Sequence, residues 1–254
     1  MPPPRRSTAL RWLLLAMAAS CAVFVALGIW QLQRMGWKHD LIARIEARVG
    51  ASPVPPPIAA DWPALLADPQ AWEYRRLRLE GEFLHDREAL VQASTVLGAG
   101  HWVLTPLRLA DGSIVLVNRG FVPPERRDPA RRGSVASQGH TVVSGLLRIS
   151  EPHGGFLRSN DPVADRWYSR DVAAIAAARG LAQGVAPYFL DAQADGAPDA
   201  WPRAGLTVLR FPDNHLVYAL TWFGLAALSV AAALQLLRHG RKASWHDGEG
   251  TASG

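Results

Sequence analysis

The chain has 254 residues, 49% of them hydrophobic and 19% charged, with a formal net charge of +5. That is the composition of a folded protein, long enough to bury a core of its own. Its one cysteine, Cys21, excludes an intrachain disulfide, a C-x-x-C redox pair, a C-x-x-C-H haem attachment and a thiol pair for copper or zinc. The modest positive excess sits largely beside two apolar stretches and in a loop holding Arg126, Arg127, Arg131 and Arg132, where solvation accounts for it without a nucleic acid.

In chain order, Arg5, Arg6 and Arg11 precede a charge-free stretch, Trp12 to Gln33, made mostly of Leu, Ala and Val. As a helix at 1.5 Å per residue it reaches roughly 33 Å, against about 30 Å for a bilayer core. Ala16-Met17-Ala18 resembles a signal-peptidase site, and Ala18-Ala19-Ser20-Cys21 loosely resembles a lipoprotein signal. The apolar run continues past both through Ile29, too long for a signal core, which favours an uncleaved anchor. Ala51 to Pro63 is Pro-rich and reads as an extended linker. Strands are predicted at Arg76–Glu80, where polar and apolar residues alternate, and at Ala89–Val91. Further strands are predicted at Trp102–Leu109, Ile114–Asn118, Thr141–Ile149 and Tyr188–Leu190. Asp111-Gly112 signals a hairpin with a type I′ turn. Asp171 to Arg179 is Ala-rich, follows Ser169 as a candidate N-cap and stops at Gly180, so it reads as a helix.

Leu216 to Leu237 is a second charge-free stretch, followed by Arg238, Arg241 and Lys242. The predicted architecture is therefore a membrane protein: two transmembrane helices flanking an antiparallel-β-rich α+β domain. The segments are 1–11, a first span 12–33, the domain 34–215, a second span 216–237 and a tail 238–254. Basic residues in short flanks stay on the cytoplasmic side. Both termini are accordingly expected in the cytoplasm of a bacterial cell, with the central domain periplasmic and the spans in the inner (plasma) membrane. Arg34, Lys38, Arg44 and Arg48 weaken that asymmetry.

No G-x-S-x-G, H-E-x-x-H, S-x-x-K, Walker A or G-x-G-x-x-G pattern is present, so the domain reads as non-enzymatic. Gly98-Ala99-Gly100 opens like a dinucleotide loop but continues His-Trp-Val and reads as a pair of loop glycines. His85, His101, His140 and His153 lack ligand spacing and read as surface or hydrogen-bonded histidines. Asn118 and Arg119 invite a catalytic reading. The structural one is preferred, with Arg119 a hydrogen-bonding hub at a strand end and Gly120 allowing a tight exit. Trp102 and Trp167 read as packing residues.

The membrane border is richer. Trp30, Arg34, Trp37 and Lys38 share one helical face; His215, Tyr218 and Trp222 share another. Antiparallel spans place both at one depth. Two facing aromatic stripes with an imidazole and two cations suit a flat, amphipathic, anionic ligand such as haem: His215 on the iron, Arg34 and Lys38 on its carboxylates. The same residues also suit an interfacial belt of aromatics with snorkelling cations among membrane lipids.

Those residues also carry a family resemblance. Leu27-Gly28-Ile29-Trp30-Gln31-Leu32-Gln33-Arg34, with Trp37-Lys38, resembles the first-span signature of the surfeit locus protein 1 family of cytochrome c oxidase assembly proteins. The likeness continues through Arg78 to Phe83, Val103 to Leu107, Asp111-Gly112, Val115 to Pro123, Gly145 to Arg148, Trp167-Tyr168 with Asp171, and Asn214 to Trp222. It implies an assembly factor for a haem-copper oxidase that binds haem a, works with the oxidase catalytic subunit and the haem a synthesis enzyme, and uses His215 as the haem ligand. Two departures stand out. Phe121 follows Gly120 where the family often has Trp, and Asp213 replaces the first Asn of Asn-Asn-His, either orienting the imidazole or capping the helix.

Overall fold

Among the described residues, short apolar runs separated by Pro, Gly and Asp-Gly fold as six strands that lie between two long helices in sequence. The computed structural model describes residues 5–133, 139–155, 157–181, 183–194, 200–206 and 213–249. They divide into two compact units: residues 1–43 with 210–254, and residues 44–209.

Helix α1 (Arg5–Gly50) is 46 residues long, about 69 Å at the rise of a regular helix. The backbone is therefore unbroken at Gln33, where the charge-free stretch ends. Its partner in the first unit, α5, runs His215–Glu249. Both are long and apolar enough to cross a membrane. The end segments 1–11 and 238–254 fall partly outside the described residues.

In the second unit the Pro-rich stretch does not stand free. Val54 bridges Leu77, with its N–H on the Arg76 carbonyl at 3.0 Å and its own carbonyl accepting from Arg78 at 2.9 Å. Helix α2 (Trp62–Ala67) and the single turn α3 (Pro69–Trp72) follow. The strands are β1 (Arg76–Phe83), β2 (Ala89–Thr95), β3 (Gly98–Leu109), β4 (Ile114–Val122), β5 (His140–Ile149) and β6 (Val185–Ala192). They hydrogen-bond in the order β1-β5-β6-β4-β3-β2, and β3 pairs again with β1. The ring β1-β5-β6-β4-β3 is thus a closed barrel with β2 appended, and closure removes the exposed edges an open sheet would keep. All pairings are antiparallel except β4 with β6. Closure rests on three register pairs, Gly81–Leu109 to Phe83–Leu107. At Gly81 a side chain would meet the Arg108 carbonyl oxygen at 2.2 Å, so only glycine lets the two strands approach there.

The barrel wall separates two apolar clusters. Leu77, Leu79, Leu107, Val115, Val117, Leu147, Tyr188 and Leu190 fill the interior, joined by Leu65 of α2. Leu104, Leu116, Phe189 and Val91 point out of it and pack against Trp167, Val172 and Ile175. Val115 and Val117 thus face one cluster while Leu116 faces the other, which is why this stretch is apolar throughout instead of alternating. The outer cluster includes α4 (Val172–Ala178), whose N-cap is Asp171 and not Ser169: its carboxylate accepts the Ala174 N–H at 3.1 Å. At the other end, Gly180 N–H bonds the Ala177 carbonyl and Leu181 N–H bonds that of Ala176, a Schellman stop.

Three further expectations are corrected. Gly98-Ala99-Gly100 is no loop pair; it opens β3 and pairs with Ala93 to Thr95. Gly120 lies inside β4, not at its exit, because Arg203 passes so close that a Cβ would meet its backbone at 2.2 Å. The hairpin loop is Ala110-Asp111-Gly112, closed by Leu109 N–H to Ser113 O at 2.8 Å and Gly112 N–H to Leu109 O at 3.0 Å. Of those loop residues only Gly112 has positive φ, +83°. A type I′ turn needs two such residues, so this is a type I turn followed by a left-handed glycine.

Candidate functional site

Among the less exposed positions of α1, the set Leu14, Met17, Cys21, Phe24, Gly28, Gln31, Met35 and Lys38 follows a spacing that alternates three and four. On α5 it does the same at His215, Ala219, Trp222, Ala226, Ser229, Ala233 and Leu236. That is the seam of a coiled-coil-like pair. Small residues set its closeness. Ala219 and Ala226 are buried, and a Cβ on Gly28 would meet the Phe223 ring at 2.6 Å. Phe24 stacks on Trp222 with centroids 5.8 Å apart. At one end of the seam the contacts turn polar. His215 Nδ1 lies 2.8 Å from Gln31 Oε1, and His39 Nε2 lies 2.7 Å from Asp213 Oδ2. Asp213 Oδ1 also accepts the His215 backbone N–H at 3.1 Å. That N–H and His39 hold the Asp213 carboxyl below the usual carboxylate range.

The two aromatic stripes do not face each other. His215, Trp222 and Lys38 lie on the seam, but Trp30, Trp37 and Tyr218 are 53%, 54% and 56% exposed, and Arg34, stacked on Trp37 at 5.0 Å, is exposed as well. The seam takes the small residues together with the Phe24, Trp222 and Phe223 rings, while Trp30, Trp37 and Tyr218 turn outward. Asp213 caps α5 and pairs with His39; the imidazole of His215 is held by Gln31 instead. Gln31 and His39 are the residues that spacing of aromatics and cations misses. The available signal was a polar amide one heptad step from Phe24 inside an apolar stretch.

In the barrel unit, Asn118 joins a buried charge cluster. Its Nδ2 donates to Asp191 Oδ1 at 2.8 Å, and its Oδ1 accepts the Gly120 N–H at 3.1 Å. Asp191, itself 4% exposed, also accepts from Arg148 at 3.2 Å and Arg170 at 3.3 Å. Behind them, Arg148 pairs with Glu73 and Arg170 with Glu151. Burial raises the Glu151 carboxyl, but the hydrogen bonds and charge of Arg170 outweigh it and hold it below its ordinary value. Trp102, Gly120, Gly205 and this cluster line a cavity of about 230 Å³. The arrangement fastens β4, β5 and β6 to one another, and none of these groups is a nucleophile beside a base. Arg119 donates to His85 Nδ1 at 3.4 Å and lies over the Phe83 ring at 5.1 Å. Among the described residues no group of three or more His, Cys, Asp or Glu is placed to hold a metal ion.

The arginine loop is not uniformly solvated. Arg132 is 4% exposed and holds Glu88 bidentately at 2.9 and 2.7 Å while donating to the Arg126 and Arg127 carbonyls. The loop closes around it because its fork satisfies four acceptors at once.

Residues 18–227 match the model of the SURF1 family. The chain belongs to the SURF1 family. It is 34% identical over 249 residues to a SURF1-like protein of Monosiga brevicollis, covering 93% of this chain and 90% of that one. It is 34% identical over 240 residues to surfeit locus protein 1 of Homo sapiens, covering 86% and 74%, and 33% identical to that of Mus musculus, covering 86% and 72%. The span matched to the family runs from Ala18 on α1 to Ala227 on α5. It therefore takes in the six strands and both ends of the His215–Gln31 contact.

Proposed function

We propose that this SURF1-family chain is a non-catalytic assembly factor for a haem-copper cytochrome c oxidase, which receives haem a at the membrane border through His215 and passes it to the catalytic subunit. The observation that carries this reading is the His215–Gln31 contact at 2.8 Å. An imidazole that donates from Nδ1 keeps its Nε2 lone pair for iron, and metal-ligating histidines are oriented in this way. Haem is cargo here, and the residues present fit it on one condition. The seam is filled by the Phe24–Trp222 stack and by Phe223 against Gly28. A macrocycle must therefore use the outward faces, where Trp30, Trp37 and Tyr218 offer exposed rings, with the exposed Arg34 and the half-buried Lys38 at the seam's edge as carboxylate partners.

The two apolar helices support a membrane location, with both chain ends on one face and the barrel on the other. Basic flanks support chain ends on the cytoplasmic side and a barrel across the membrane from them; a bacterial inner membrane with a periplasmic barrel belongs to the proposal alone, and the relatives named above are eukaryotic. The catalytic subunit and the enzyme that makes haem a are the partners in this reading.

A second reading follows from the same exposed rings: a membrane-anchored scaffold that recruits oxidase assembly partners, with Trp30, Trp37 and Tyr218 as an interfacial belt. Haem titration of the purified full chain in detergent separates the two. The carrier reading expects a haem spectrum that His215→Ala abolishes or shifts, with helix content unchanged. Arg34→Ala should weaken binding while leaving the band positions alone. A wild-type protein that takes up no haem favours the scaffold.

A further inference from the structure

We infer that Gln31 is the positioning residue for His215, fixing both the orientation and the tautomer of its imidazole. The ligand consequence rests on the haem reading above; the tautomer does not.

His215 is held at two points, its main chain and its ring. Its own backbone N–H is taken by Asp213 at 3.1 Å, which anchors the first turn of α5. Its ring nitrogen Nδ1 meets the Gln31 amide oxygen at 2.8 Å across the seam. Asp213 is tied back to α1 through His39 at 2.7 Å, so main chain and side chain of His215 are both referenced to the same helix. Gln31 can serve because it lies on the seam, one turn beyond Gly28, where the missing side chain lets α5 approach. Had the outward stripe carried the partner, Trp30 would face His215; it is 53% exposed instead.

The chemistry of the partner matters. An amide oxygen accepts a hydrogen bond but carries no charge, so it selects the Nδ1–H form of a neutral ring and leaves Nε2 as the acceptor. A carboxylate at the same place would pull on the same proton and enrich the ring in electrons. A hydrocarbon would leave the tautomer unset. Gln31 therefore does what an outer-shell partner does for a metal-bound histidine, and it does so before any ligand arrives.

The test uses the full chain in detergent micelles with labelled histidine nitrogens, observed by two-bond proton–nitrogen correlation above the titration of the ring, with His215→Ala assigning the signal. The wild type should show the Nδ1–H form. Gln31→Leu should move His215 toward the Nε2–H form, and Gln31→Glu should restore Nδ1–H. With haem added, Gln31→Leu should lower affinity by about 10- to 100-fold without moving the bands, because the iron keeps the same nitrogen. Gln31→Glu should lower the reduction potential. Gln31→Asn, shorter by one methylene, withdraws the acceptor from the ring and should behave like Gln31→Leu, which stays close to glutamine in volume; agreement between the two separates loss of the acceptor from a change in packing. An Nε2–H wild type, or a tautomer indifferent to Gln31→Leu, overturns the inference even if haem binds. A tautomer that switches as stated in a protein that takes up no haem keeps Gln31 as the positioning residue and sinks the haem reading alone.

Discussion

Asp191 is the residue on which the buried charge of the barrel converges, and its removal is the sharpest single-residue test of that unit. It accepts from Asn118, Arg148 and Arg170. Asp191→Ala strips the amide of its acceptor and leaves Arg148 with Glu73 and Arg170 with Glu151 in place of the acid they shared. Breaking a buried pair in this way costs about 3–5 kcal/mol, and the expected outcome is a large fall in the denaturant midpoint of the barrel. Asp191→Asn keeps an oxygen for Asn118 and should cost less; equal midpoints for wild type and Asp191→Ala would show that the cluster adds no stability. Of this cluster the sequence singled out Asn118, beside Arg119, while Arg148 entered only within a family-like stretch and with no role attached. Its partner lies 73 residues away, and nothing in the local pattern around Asp191 sets it apart from a surface carboxylate. Arg132 was hidden for the same reason: in a run of four nearby arginines, only the fold reveals which one meets Glu88.

Among the elements, the β3–β4 hairpin shows how far pattern carries. Asp-Gly between two apolar runs locates the loop correctly, yet the turn type depends on a third residue, Ala110, that belongs to no signal. Gly112, at φ +83° with nothing within 4 Å of an added Cβ, isolates backbone strain from crowding. Gly112→Val should cost about 1–3 kcal/mol, seen as a lower melting temperature of the full chain in detergent by circular dichroism. Gly112→Asn should cost less, since asparagine tolerates the left-handed region. A valine variant that melts with the wild type would mean the loop relaxes to another turn. Other element boundaries drift for physical reasons. The prediction for β4 stops at Asn118 because Gly120 looks like an exit, while the strand continues to Val122 with Arg203 paired to Phe121. The helix at 172 is placed correctly, but Asp171 supplies the cap. Barrel closure was not legible at all, because three register pairs between β1 and β3 leave no local mark.

At the scale of the whole molecule, hydropathy is the strongest signal in the chain, and each charge-free stretch lies within a longer helix: α1 continues past Gln33 to Gly50 and α5 past Leu237 to Glu249. What hydropathy does not give is the seam. Aromatics and cations draw attention to Trp30, Arg34 and Trp37, whereas the close approach of the two helices is set by small residues, Gly28, Ala219 and Ala226. The side of the membrane is a separate question with a direct test. Two crossings would put residue 254 and the barrel on opposite faces, and short basic flanks stay on the cytoplasmic side. In a bacterial host, a reporter active only in the cytoplasm should work when fused after Gly254, and one active only in the periplasm should work when inserted at Gly133, in an exposed part of the loop that follows β4. Both should fail when exchanged. If the purified chain begins after Ala18 or Ser20, the first stretch is a cleaved leader and not an anchor. The same cut would remove no residue of the Gln31–His215 contact, so the seam must then be judged by whether the pair still associates.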